Sequence, residues 1–275
     1  MRENVIALSA IAALASGASA SPFATSVEFF DAGSNPASGF TDAATAIGSP
    51  ERFTGEGVFP SGVTPFNPAF GTDEIVSIGA GGRLDLGFDR AITDNPNHAF
   101  GVDLIVFSNA GFADASFTDA DPDNDGIGLT GNNPFVFGAG GAATIQVSQN
   151  GTDWVTAETT TLDLFPTLGY QDITDPTPAA PGSVPTDFTK ALDPSLTLAD
   201  FANLDFAQIR ALYGASGGGV GIDIASTGLE SASFVRFRND STSAFEIDAV
   251  SVVPAPGAFA CMTIALAGTT RRRRA

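Results

Sequence analysis

Cysteine, histidine and lysine are nearly absent from this 275-residue sequence. Cys261 is the only cysteine, so the chain cannot form an internal disulfide. His98 is the only histidine, which excludes a zinc site of the Cys/His type. A Ser-His-Asp triad would have to use this histidine, and no G-x-S-x-G elbow is present to pair with it. We interpret His98 as a solvated loop residue and predict a protein that is not an enzyme.

Positive charge is also scarce. The chain has 12 Lys and Arg against 31 Asp and Glu, a formal net charge of −19. Residues 21–253 contain only seven of these cations and 30 of the acids, which gives about −23. Such a surface repels nucleic acid, so we predict no nucleic-acid partner. The 31 glycines and 17 prolines are typical of a turn-rich, all-β extracellular domain.

Long apolar runs are confined to the two ends of the chain. Residues 1–20 contain Arg2, a short apolar run at 5–15 and the sequence Ala-Ser-Ala at 18–20. A positive start, an apolar core and a small-residue site in this order predict a secretory signal peptide.

The C-terminal residues 254–275 have a different order of features. Val-Pro-Ala-Pro at 253–256 breaks the chain, residues 257–268 are apolar, and residues 271–274 are four arginines. Twelve helical residues span only about 18 Å, so the segment could cross a bilayer core of about 30 Å only by recruiting its flanks. The arginines would stay on the cytoplasmic side.

This order of a proline motif, a short apolar helix and an arginine cluster resembles the PEP-CTERM sorting signal. The sequence has Pro-Ala-Pro where the family name has Pro-Glu-Pro, which affects the expected cleavage point. The resemblance implies transient membrane insertion as a transmembrane helix, an exosortase-type sorting machinery as partner, and delivery to the cell surface or the extracellular space. A plain tail anchor is the alternative that the length leaves open.

Between the two ends, the clearest pattern is a β-hairpin at residues 144–154, T-I-Q-V-S-Q-N-G-T-D-W. Ile145 and Val147 alternate with polar residues, as in a strand with one buried face. Asn150 and Gly151 both tolerate positive φ and suit a tight primed turn. Trp154 begins the return strand, and we predict that this single tryptophan is buried in the core.

Four further strand patterns occur between residues 81 and 250. They are Gly-Gly-x-Leu-x-Leu-x-Phe at 81–88, a nearly continuous apolar run at 102–107, Phe-Val-Arg-Phe at 234–237 and Glu-Ile-Asp-Ala-Val at 246–250. The run at 102–107 predicts a central strand that is buried on both faces. Asp103 and Asp248 lie inside apolar strands, and we interpret them as hydrogen-bonded structural residues.

Together with the hairpin, these strands resemble the galactose-binding-like, discoidin-type sandwich of bacterial surface proteins with PEP-CTERM tails. The resemblance implies an all-β jelly-roll sandwich at residues 21–253, between N- and C-terminal targeting helices. A short helical insertion is predicted after Thr197, where Asp200 three residues on completes a cap, and before Gly214. The fold does not by itself imply a reaction.

One acidic segment has the spacing of metal ligands. Asp119, Asp121, Asp123 and Asp125 alternate with other residues and precede a glycine at 126. Alternate carboxylates before a glycine match the first half of a calcium loop. The twelfth position counted from Asp121 is an asparagine, so an EF-hand is not expected. We predict a Ca²⁺-ordered surface loop; the alternative is a solvated acidic insertion.

The sequence therefore predicts an exported, exosortase-sorted protein of the cell surface or extracellular matrix. The leading hypothesis is a non-catalytic protein that binds an extracellular polysaccharide through loops at one end of the sandwich. The second is a purely structural or adhesive protein without a small ligand. The third is a carbohydrate-active hydrolase, because 30 acids allow many pairs of carboxylates.

The calcium hypothesis predicts that millimolar Ca²⁺ raises the melting temperature of the protein. Four carboxylates in one short segment repel each other, and Ca²⁺ would relieve this repulsion by binding the folded chain. Free Ca²⁺ at a hundred times the dissociation constant adds about 2.7 kcal/mol of stability. The rise should disappear when Asp121, Asp123 and Asp125 are replaced by asparagine. The hypothesis would be contradicted if Ca²⁺ did not change the melting temperature of the wild type. It would also be contradicted if the triple variant showed the same rise as the wild type.

Overall fold

The computed structural model describes residues 20–55, 60–117, 126–137, 141–162 and 164–254. The predicted signal peptide, apart from its last residue, and the predicted sorting signal, apart from Pro254, lie outside these ranges. The predicted calcium ligands Asp119, Asp121, Asp123 and Asp125 lie outside them as well. Among the described residues, no helix has both the length and the apolar character needed to cross a membrane.

The regular secondary structure of the described chain is almost entirely β-strand, as the sequence predicts, and long irregular segments connect the strands. The strands are β1 (Ser26–Asp31), β2 (Phe53–Thr54), β3 (Ser61–Gly62), β4 (Val76–Ile78), β5 (Arg83–Thr93), β6 (Leu104–Phe107), β7 (Gly111–Phe112), β8 (Val136–Phe137), β9 (Ala142–Ser148), β10 (Val155–Thr161), β11 (Val220–Ile222), β12 (Ser231–Asn239), β13 (Phe245–Ile247) and β14 (Ala249–Val252). One α-helix, α1, spans Phe206–Tyr213, and short 3₁₀ turns lie at Ala43–Ala46, Ala99–Gly101, Leu198–Phe201 and Ala225–Thr227.

The strands form one larger sheet and several smaller ones, with antiparallel pairing throughout. The larger sheet has the order β1-β5-β12-β9-β10. A second sheet has the order β11-β6-β14, and only Asp248 separates β14 from β13, which pairs with β4. A single apolar cluster contains buried side chains from both sheets, including Leu86 and Val235 of the larger sheet and Val106 and Val250 of the smaller one. The arrangement is therefore sandwich-like.

Strand β6 is buried on both faces, as predicted for the apolar run at 102–107. Leu104 and Val106 belong to the main core. Ile105 and Phe107 point into a second cluster, where Phe188 packs on the Phe107 ring with a centroid distance of 5.1 Å. The proline-rich irregular segment between β10 and the 3₁₀ turn at Leu198–Phe201, which contains Phe188, thus covers the outer side of the smaller sheet.

The hairpin of β9 and β10 is present, but its predicted tight turn is wrong. Val155 pairs with Val147, so residues 148–154 separate the two paired positions. Gly151 has a φ of +75°, whereas Asn150 is not among the residues with positive φ that a type I′ turn would need. The Asn150 side-chain oxygen instead accepts hydrogen bonds from the backbone N–H groups of Thr152 and Asp153, both at 2.9 Å.

The predicted burial of Trp154 in the core is also wrong. Directly paired residues share one face of a sheet, and successive residues alternate between faces. Because Val155 pairs with the inward-facing Val147, the residue before Val155 faces outward. Trp154 is accordingly half-buried on the outer surface, with the Arg236 guanidinium 3.8 Å above its ring.

His98 is not the solvated residue that the sequence suggested. Its side chain is buried, and Nδ1 lies 2.8 Å from Oδ1 of Asp103, whose side chain is fully buried as well. Asp103 also accepts hydrogen bonds from the backbone N–H groups of Asn95 and Ile224. A buried carboxylate requires such partners, so the expected hydrogen bonding of Asp103 is confirmed, although Asp103 lies just before β6 and not inside the strand.

The predicted helical insertion is present and packs directly against the core. Thr197 and Asp200 form a capping box at the first 3₁₀ turn, and Asp205 with Gln208 forms a second one at the start of α1. The helix ends before Gly214, which has a φ of +59°. Its buried side chains are Phe206, Ile209 and Tyr213, all members of the main apolar cluster.

Asp248, between β13 and β14, is an almost fully buried acid with a shifted pKa. Its two oxygens accept from the backbone N–H of Glu51, at 3.3 and 3.1 Å. Desolvation by burial raises the pKa of Asp248 well above its usual value of 3.8, and nearby Glu51 adds to this effect. The Asp248 carboxyl thus favours its protonated form in the folded protein, and its structural, hydrogen-bonded role is confirmed.

This burial predicts that part of the unfolding free energy is lost as the pH rises. The pKa of Asp248 is higher in the folded than in the unfolded chain, so its contribution is complete below about pH 3.8 and disappears as the pH rises through the raised folded value. The variant D248N cannot ionise. It should be more stable than the wild type at pH 8 by at least about 1 kcal/mol, the lower bound for an uncompensated buried polar group.

Chemical denaturation between pH 4 and pH 8 measures this effect. The exposed carboxylate of Asp89 provides a matched control, because D89N makes the same change of charge on the surface. D89N should retain the pH dependence of the wild type. An equally steep pH dependence in D248N would contradict the assignment.

Candidate functional site

The outer face of the larger sheet presents a row of side chains that the strand register fixes. Phe29 of β1 pairs with Asp85 of β5, Asp85 pairs with Arg236 of β12, and Arg236 pairs with Gln146 of β9. Leu86, Val235 and Val147 form the adjacent row and face the core. Period-2 alternation therefore places the charged row on the side away from the core.

Asp85 organises the centre of this row. Both of its oxygens accept from Arg236, Oδ1 from Nε and Oδ2 from Nη2, each at 2.8 Å. Nε of Arg83 donates to the same Oδ1 at 3.0 Å. The Asp85 side chain is only 4% exposed. Charge-assisted, bidentate bonds to a nearly buried carboxylate hold both guanidinium groups in defined orientations.

Each of these two arginines also covers an aromatic ring. The guanidinium carbon of Arg83 lies 3.8 Å from the centre of the Phe29 ring, and that of Arg236 lies 3.8 Å from the Trp154 ring. Trp154 is held in place by a hydrogen bond from Nε1 to the Gly151 carbonyl, at 3.2 Å. Phe29 remains 42% exposed. We name the five residues Phe29, Arg83, Asp85, Arg236 and Trp154 the aromatic–arginine row.

Two shallow depressions flank the row. The larger has a volume of about 410 Å³ and the smaller about 300 Å³. The larger is lined by Phe29, Asp31, Gly81, Gly82, Arg83, Arg236, Arg238 and Asp240. The smaller is lined by Glu28, Phe29, Arg83, Asp85, Asn150, Gly151, Trp154, Phe234 and Arg236. Both are partly open to solvent and are not enclosed pockets for a compact small molecule.

This arrangement is suited to binding and not to proton transfer. Asp85 has both oxygens engaged by guanidinium groups, so it is not free to act as a general acid or base. The parts of the Phe29 and Trp154 rings that the arginines leave exposed offer apolar contact, and the arginines offer hydrogen-bond donors in a rigid fork. Such a surface can hold a ligand that combines apolar faces with many oxygen atoms.

Sequence analysis identified the strands of this site but did not identify the site. Arg83, Asp85, Arg236 and Arg238 occupy alternate positions of two strands, a pattern visible in the sequence as Arg-x-Asp and Arg-x-Arg. The pairing of those two strands could not be read from the pattern, and that pairing brings the charges together.

A separate group of carboxylates could hold a cation. Oxygen atoms of Asp94, Asp103 and Asp223 all lie within 4.8 Å of one another. Ca²⁺ prefers oxygen ligands of this kind. Both oxygens of Asp103 already accept hydrogen bonds, and desolvation raises its pKa, which weakens it as a ligand. Sequence analysis did not identify this group, because Asp94 and Asp103 lie in the segment between β5 and β6 whereas Asp223 follows β11, far along the chain.

Comparisons with known proteins add no identification: no family model matches the chain, and no curated protein matches it.

The contact of Arg236 with Trp154 predicts a fluorescence change in the variant R236Q. The chain has a single tryptophan, so its emission reports this position alone. Removing the guanidinium uncovers the indole face, and acrylamide should quench Trp154 more strongly. Asp85 also loses two of its charged hydrogen bonds, so the unfolding free energy should fall by roughly 1–3 kcal/mol.

The control is R90Q, on the same strand as Arg83, where the guanidinium donates to the carbonyl of Ala20 instead. In R90Q, acrylamide should quench Trp154 emission to the same extent as in the wild type. Equal quenching in R236Q and the wild type would show that the guanidinium does not cover the indole.

Proposed function

We propose that this protein is an exported surface or matrix protein that binds polysaccharide without catalysing a reaction. The observation that carries the proposal is the aromatic–arginine row on the outer face of the larger sheet. Sugar rings have apolar faces and a rim of hydroxyl groups, so they fit a surface that alternates aromatic rings with hydrogen-bond donors.

The open shape of the site supports a polymeric ligand. The row crosses the sheet from β1 to the loop before β10, and neighbouring strands lie about 4.8 Å apart. It is flanked by the two depressions along its length. We place the binding surface on the sheet face, whereas the sequence suggested loops at one end of the sandwich. The fold that we propose is a galactose-binding-like jelly roll.

Export and sorting are proposed from the two ends of the sequence. The signal-like residues 1–20 would direct the chain to the secretory machinery. Residues 254–275 would hold it transiently in the membrane until an exosortase-type enzyme processes the tail. The single lysine and the excess of acids suit an acidic extracellular domain, which with one cysteine in the chain would be stabilised by its core and not by an internal disulfide.

Polysaccharide binding is tested by screening the purified chain against a panel of polysaccharides, with and without Ca²⁺. The variants F29A and W154A should each weaken binding to any hit at least tenfold, about 1.4 kcal/mol, because each removes a ring from the row. The control is F135A, which removes an aromatic side chain that is 65% exposed outside the row.

The outcome separates the proposal from its alternatives. Loss of binding in F135A but not in F29A or W154A would move the site away from the larger sheet. No binding to any polysaccharide would favour a purely structural or adhesive protein. Release of shortened sugars from a bound polymer would favour a hydrolase.

Sorting is tested by replacing the four arginines at 271–274 with serine. A cationic block after a short apolar helix halts translocation, so the serine variant should escape into the medium or mislocalise. Replacement by lysine keeps the charge and should preserve sorting. Normal surface delivery of the serine variant would contradict the sorting proposal.

A further inference from the structure

Two arginines on the outer face of the larger sheet stand directly opposite each other. Arg83 of β5 pairs with Arg238 of β12, and the side chains of both line the larger depression. Like charges at directly opposite positions of an antiparallel pair are destabilising. The register therefore sets two positive charges side by side, while Asp31 of β1 lies opposite Arg83 on its other side.

Such a cluster of arginines is unusual for this chain. Residues 21–253 contain seven Lys and Arg, and three of them, Arg83, Arg236 and Arg238, line this one depression. The depression has only two acids in its lining, Asp31 and Asp240. With Asp85, which accepts from Arg83 and Arg236, the charges around the depression are close to balanced, on a protein that is otherwise strongly negative.

The three arginines differ in how many of their donor groups are bonded within the protein. Arg236 is committed to Asp85 and Trp154. Arg83 reaches Asp85 through Nε, and within the described residues its two Nη groups have no hydrogen-bond partner. Arg238 forms one exposed ion pair with Asp240, at 2.9 Å. Donor groups of Arg83 and Arg238 are therefore available to a ligand in the depression.

We propose that the larger depression binds the carboxylate of an acidic sugar, a uronic acid residue in an anionic polysaccharide. This inference rests on the proposed polysaccharide-binding function and specifies its ligand. A planar guanidinium group matches a carboxylate in a bidentate manner. The carboxylate bridges Arg83 and Arg238 and cancels their repulsion, while the adjacent Phe29 ring contacts the apolar face of the sugar.

Binding of oligogalacturonate to the purified chain, measured by calorimetry at pH 7, tests the inference. A neutral galactose oligomer of equal length and a sulfated one are measured beside it. The wild type should bind the uronate at least tenfold more tightly than the neutral oligomer. The double variant R83Q/R238Q should lose this preference, and R238Q alone should reduce it.

The matched control is R90Q/K190Q, which removes the same number of charges from outside the depression. It should keep the preference, which separates a local effect from the net charge of the protein. Arg238 is exposed and pairs only with Asp240 in the described chain. R238Q should therefore fold with an unchanged melting temperature and give a clear result even if the double variant does not fold.

Each contrary result has a distinct meaning. Equal affinity for neutral and uronate oligomers, with R238Q unaffected, overturns the carboxylate assignment but leaves polysaccharide binding in place. Preference for the sulfated oligomer alone also overturns it. Failure to bind any of the three oligomers, together with a negative screen of polysaccharides, removes both the inference and the proposed function.

Discussion

The antiparallel register of β5, β12 and β9 is the constraint on which both faces of the larger sheet depend. It aligns Leu86 with Val235 and Val147 toward the core, and in the next row it aligns Asp85 with Arg236 on the outer face. A slip of one residue in any of these strands would exchange the two faces, moving apolar side chains into water and charges into the core. The core and the candidate binding surface are therefore specified by the same pairing, and a substitution that disturbs one disturbs the other.

Three of the buried carboxylates, those of Asp85, Asp103 and Asp248, are stabilised in different ways in a chain with one cysteine and few cations. Asp85 is neutralised by two arginines, and the result is a rigid, outward-facing row. Asp103 lies against the only histidine and two backbone N–H groups, which fix the turn before β6. Among the described residues Asp248 has no cationic partner, and its raised pKa favours the neutral form. Only the first arrangement leaves donors available to a ligand, and for this reason we place the function there.

Local patterns predicted the strands well, because alternation and continuous apolar runs report directly which faces are buried. The two-sided burial of β6, the capping box at Thr197 and the all-β class follow from such patterns. The errors arose where tertiary contacts determine the orientation or the burial of a side chain. Trp154 faces outward because the loop before it is longer than a two-residue turn, and His98 is buried because Asp103, five residues away, needs a partner. The aromatic–arginine row combines three strands distant in sequence, so no local pattern could predict it.

The central claim is that the outer face of the larger sheet is the binding surface. Backbone amide chemical shifts of the ¹⁵N-labelled protein, recorded during titration with oligogalacturonate, test it most directly. The account predicts that the largest changes occur in β1, β5 and β12 around Phe29, Arg83 and Arg236, with a further change at the Trp154 indole N–H. Changes confined to the loops at either end of the sheets, or centred on Asp94 and Asp223, would contradict it.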